Sequence, residues 1–97
     1  LGVKYNREYK EIVEDFMKAI LQIDDCYDAF EMEQKEWLEL APEEQRAYLR
    51  TLADDLFYGL GTSRTIAVGS GQIRYNPSKH TIQVTDARDV VRIVNLV

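Results

Sequence analysis

Asp24, Asp28 and Glu31 recur at the three- and four-residue spacing that lines carboxylates along one side of a helix. Glu8, Glu11 and Asp15 repeat the pattern upstream. Carboxylates are the ligands of hard cations, but a cation site needs ligands that converge from several directions. One edge of one helix reads instead as a solvated acidic face. No calcium-loop spacing is present, and no Glu-x-x-His pair exists, because the one histidine is His80. We therefore expect no metal and no cofactor.

His80 directly follows Asn76-Pro77-Ser78-Lys79, a strong turn sequence. A catalytic imidazole needs a nucleophile and an orienting acid close in space. Ser70, Ser78 and Asp86 offer the atoms, but no nucleophile-elbow motif links them. The expectation is an exposed or hydrogen-bonded histidine at the start of a strand. Cys26 sits among Asp24, Asp25 and Asp28, whose charges raise a thiol pKa. A buried, unreactive thiol is expected. Gly59-Leu60-Gly61 and Gly69-Ser70-Gly71 lack the Gly-x-x-x-x-Gly-Lys pattern of a phosphate loop. The first pair follows a helix instead of opening one, so no helix start is aimed at an anion. Together these gaps point away from an enzyme.

Six tyrosines, three phenylalanines and one tryptophan are many rings for 97 residues, and nine of the ten precede residue 61. Tyrosine and tryptophan suit interfaces as well as cores. Charge is divided too. Residues 1–61 hold 15 acids against 7 bases, and residues 62–97 hold 2 against 5, for an overall −5. An acidic body repels polyphosphate, so nucleic acid is not an expected partner. No apolar run approaches the length of a membrane span. One cysteine gives no internal disulfide and suits a reducing compartment. The chain begins at Leu1, so a removed leader or a larger parent stays open.

The elements that must position these residues read in two parts of one domain, helical over 1–60 and strand-rich over 61–97. Tyr5, Tyr9, Ile12, Val13, Phe16, Ile20 and Ile23 keep helical spacing, with Asn6 able to cap. Met17 and Leu21 widen the stripe beyond what one core contact needs. A break is expected at Asp24-Asp25. A second helix would start from the pair Asp28 and Glu31, or Asp25 and Asp28. One helix running on through residue 40 is the alternative. Pro42 opens a further helix to Tyr58, with Leu49, Leu52, Ala53, Leu56 and Phe57 inward. The period then becomes two: strands over 65–68, 72–75 and 81–85, joined by tight turns. Residues 90–97 read as a strand, with Val91, Ile93 and Val97 on one face, or as a helix.

The fold expected is α+β, with two or three N-terminal helices packed on a three- or four-stranded antiparallel sheet. Residues 72–97, with Asn76-Pro77 and Gln83-Val84-Thr85-Asp86, resemble the small βαβ repeats of secretin-type outer-membrane channels. That resemblance implies a short helix after Asp86. It covers a quarter of the chain, and the helical first 60 residues do not match it.

The function expected is that of a small non-catalytic protein-binding domain, a cytoplasmic regulatory or assembly factor. Its partner would be another protein or a second copy of itself. The wide stripe of the first helix supplies the expected interface: Tyr5, Tyr9, Val13, Met17 and Leu21. One alternative is a small-ligand sensor or small enzyme, with Tyr48, Tyr58, Arg74 and His80 lining a pocket between helices and sheet. A structural part of a secretion or phage assembly is another.

Overall fold

A computed structural model describes residues 7–97. Helix α1 spans Tyr9–Leu21, a 3₁₀ turn spans Cys26–Phe30, α2 spans Gln34–Glu39 and α3 spans Pro42–Gly59. Four strands follow: β1 Thr65–Val68, β2 Gly71–Asn76, β3 Thr81–Thr85 and β4 Val91–Asn95. They form one antiparallel meander in the order β1-β2-β3-β4. The expected helical region on an antiparallel sheet is the architecture found.

Tyr5 and Asn6 lie outside the described residues. Within them, α1 starts at Tyr9, and Glu8 holds the cap position without a side-chain bond. Its apolar spacing buries Ile12, Val13, Phe16, Met17 and Ile20. The chain does break after α1; of the two expected capping registers, Asp25 with Asp28 begins only a 3₁₀ turn and without a side-chain cap bond, and Asp28 with Glu31 begins none. Cys26 and its neighbours wind into the 3₁₀ turn, and Glu31 takes a left-handed φ of 57°. That backbone reversal also excludes a single helix through residue 40. The start signal for α2 lies later, where the Glu33 N–H donates to the Glu36 carboxylate at 3.2 Å. In α3, Pro42 takes the first turn as expected. Ala41 has no side chain to cap with, and its own N–H donates to Glu44 at 2.9 Å.

Strand register decides which residues meet the helices. Ile73 pairs with Val84 and Tyr75 with Ile82, and Ile82 pairs in turn with Val94. This set faces inward. Arg74 and Gln83, one place along, face outward. The tail is a strand, so no helix follows Asp86 as the secretin resemblance implied. Val91, Ile93 and Val97 share a face as expected, but it is the solvent face; Val94 and Leu96 are buried instead. The period-two parity was readable, and its sign was not, because the β3 pairing sets it.

Two carboxylates fasten the loops. Asp25 accepts the Ser70 N–H at 2.9 Å and the Ser70 hydroxyl at 2.7 Å, tying the 3₁₀ turn to the β1–β2 turn. Asp86 accepts N–H groups of Arg88 and Val90 at 2.8 and 3.1 Å and the Arg92 guanidinium at 3.1 Å. The Ser70 N–H, above all, holds the Asp25 carboxyl below its usual 3.8. Burial alone would raise Asp86, but the two N–H groups and Arg92 outweigh it and hold it below the same value.

Both groups have a lower pKa folded than unfolded. Their stabilisation is therefore present above the unfolded value and is lost as pH falls through the folded ones. Thermal melts between about pH 7 and pH 2 should show a level midpoint that drops once pH passes below about 4. Asp25→Asn should start lower and drop less steeply. An acid drop as steep as in the parent would remove Asp25 as a contributor.

Candidate functional site

Along α3, Leu49, Ala53 and Leu56 are buried in the core. Helical geometry then turns Tyr48, Thr51, Asp55 and Tyr58, spaced three and four apart, to the other side. Two adjacent grooves run along that side. The first, of about 450 Å³, is lined by Ala29, Phe30, Ala47, Tyr48, Thr51, Leu52 and Asp55. The second, of about 600 Å³, is lined by Tyr9, Asp54, Asp55, Phe57, Tyr58, Gly61 and Thr62. Asp55 belongs to both.

The rings in these walls are held in place. Phe30 stacks on Trp37 with centroids 5.6 Å apart and meets Tyr48 at 5.1 Å. The 3₁₀ turn is what carries Phe30 to this position. Tyr9 meets Phe57 edge-on at 5.2 Å, and its hydroxyl donates to Asp54 Oδ1 at 2.7 Å. Burial first, and the Asp54 bond second, push the Tyr9 hydroxyl up to about 12, so it stays a donor at neutral pH. Among the described residues, no cation stands within ion-pair distance of Asp54 or Asp55. Tyr58 is 87% exposed and Tyr48 is 41% exposed.

The four residues expected to share one pocket do not do so. Tyr48 lines the first groove and Tyr58 the second. Arg74 projects from the outer face of the sheet, away from the helices, because its neighbours Ile73 and Tyr75 face inward. His80 is exposed at the end of the β2–β3 turn with a left-handed φ of 52°. The interface expected on α1 also changes. Val13 and Met17 are only 1% and 4% exposed, inside the chain. Helix α1 packs on α3 and on β4, so its wide stripe is covered on two sides. Tyr9 and Leu21 stay half exposed, and Tyr9 belongs to the second groove.

Cys26 is buried, and burial followed by the Asp25 charge pushes its thiol up to about 11. That leaves almost no thiolate at neutral pH. Among the described residues, no three His, Cys, Asp or Glu side chains converge on a metal position. No helix there is long and apolar enough to cross a membrane. What the grooves offer is ring faces beside carboxylates, a setting that can hold a side chain or small molecule. Sequence reasoning did not single out Asp54 and Asp55. The signal that finds them is the spacing of Tyr48, Asp55 and Tyr58 on a side of α3 opposite its apolar one.

Comparison with protein-family models, with curated proteins and with solved structures finds no match.

Proposed function

We propose that this chain is a small non-catalytic protein-binding domain whose contact surface is the outer side of α3. The observation that carries the reading is the pair of adjacent grooves rimmed by exposed Tyr48 and Tyr58 and joined at Asp55. Tyrosine gives large contact area for two side-chain torsions and keeps a polar tip for the rim. Tyr48 and Tyr9, already fixed by their neighbours, lose little freedom on binding. A regulatory or assembly factor of the cytoplasm, where the single thiol stays reduced, fits this surface.

Affinity capture tests it. The wild-type domain and an Arg74→Ala control should retain the same protein. Tyr48→Ala with Tyr58→Ala should lose it while keeping the parent's circular dichroism and a cooperative melt, with a modest drop in midpoint from the lost Tyr48 ring contacts. Equal retention by all three, or specific retention by none, overturns the reading.

The sheet favours a second reading, self-association. β4 is an edge strand, and its Val91 and Ile93 are 49% and 50% exposed. An apolar edge strand tends to pair with another strand, although here the Arg7 guanidinium donates to the Asn95 carbonyl at 2.9 Å and guards one end of it. Its one charge, Arg92, is turned to Asp86. Sedimentation equilibrium should then give a dimer that Ile93→Lys returns to about 11.3 kDa. A wild-type mass that stays at the monomer value removes the homodimer.

A further inference from the structure

We propose that the second groove receives a lysine or arginine side chain from a basic segment of the partner protein. The proposal rests on the protein-binding reading and names the chemistry of the partner. Tyr9 and Tyr58 supply ring faces, and Asp54 and Asp55 supply carboxylates on the same wall. Ring faces are negative at their centres and attract a cation laid over them. Tyr9 uses one oxygen of Asp54 and leaves the other to a ligand. Asp55 makes no ion pair among the described residues. An apolar occupant would strip water from both carboxylates and return nothing. An anion would be repelled. Arg50 acts on the Tyr9 hydroxyl from α3, and among the described residues it makes no ion pair with either carboxylate.

Charge beyond the groove points the same way. The first 61 residues carry 15 acids against 7 bases, so a basic segment is drawn to this half of the molecule. The first groove adds a second requirement. Its Phe30, Tyr48 and Leu52 suit an apolar side chain, and Asp55 forms the boundary between the two. Tyr48 and Tyr58 mark the far ends, about 15 Å apart along α3 at 1.5 Å per residue. The matching partner segment carries an apolar anchor and a cation within that span. That is about four residues when extended.

The groove can be probed with single amino-acid derivatives. Acetyl-arginine amide, titrated into the 15N-labelled domain, should shift the amides of Asp54, Asp55, Tyr58 and Thr62 in a saturable way. Acetyl-citrulline amide has nearly the same shape without the charge, and it should bind about tenfold more weakly, the size of one partly desolvated cation contact. Asp55→Asn should weaken the arginine probe by a similar factor. Asp55 makes no bond that the fold needs, so this variant stays folded. Equal binding of arginine and citrulline, shifts spread over Glu43 and Glu44 instead of the groove, or an unchanged affinity in Asp55→Asn would each overturn the proposal. Those outcomes leave the capture experiment untouched. Loss of partner capture in the tyrosine variant together with a charge-blind groove would keep the binding surface and reject the cation.

Discussion

Gly69→Ala will destabilise the protein by roughly 2–4 kcal/mol, combining a left-handed backbone with overpacking. Gly69 has a φ of +54°, in the region that L side chains enter at a cost. A Cβ there would also run into the Asp25 carbonyl oxygen and stand 2.5 Å from its Oδ1. The same Oδ1 accepts both Ser70 bonds, so Asp25 cannot withdraw without releasing them. One methyl group therefore strains the turn and opens the link between the 3₁₀ turn and the sheet. Gly61→Ala is the control. Its nearest neighbour, the Tyr58 carbonyl oxygen, would lie at 3.2 Å, and its backbone is not left-handed. It should change stability by less than about 1 kcal/mol. Urea unfolding of the two variants decides the matter. Equal midpoints would mean that the Asp25 contact does not hold the turn.

That contact also marks how far a linear reading reaches. Pro42, the period-two strands and the turn at Asn76-Pro77 are local signals, and each appears where local chemistry puts it. Asp25 looks like one more solvated acid until the fold brings it to Ser70. Asp54 is the same kind of residue, and its meaning comes from Tyr9 on another helix. Tyr48 and Tyr58 stand out by residue type alone, but their neighbours do not, because helix contacts and strand register choose those. Arg74 was misplaced by one step of parity: with Ile73 and Tyr75 inward, it had to face out. The first helix misled in the opposite direction. A stripe wide enough for a partner is also wide enough for α3 on one side and β4 on the other, and the fold uses it so.

Phe16→Ala will cost about 3–5 kcal/mol, the range for emptying a large buried aromatic site. Phe16 is the largest of the fully buried side chains and shows no exposure. It lies on the face of α1 that shares the core with Ile20, Ile73 and Ile82. Domains of this size hold about 5–15 kcal/mol in all, so the loss is a large share of the total. Phe16→Leu keeps most of the volume and should cost less than about 1.5 kcal/mol. Tyr58→Ala, at the exposed end of α3, should stay within about 0.5 kcal/mol of the parent. The contrast bears on function. Helix α1 carries both Phe16 and Tyr9, so loosening its packing should also break the Tyr9 bond to Asp54 and widen the second groove. Tyrosine absorbance titrated at high pH reads this: one tyrosine ionising near 12 in the parent should move back toward the ordinary value in Phe16→Ala and stay in Tyr58→Ala. A Phe16→Ala protein with parental stability and an unmoved tyrosine would mean that α1 does not carry the groove. The expected pairing, with core loss moving Tyr9 and rim loss leaving it, makes the groove a product of the helix packing beneath it.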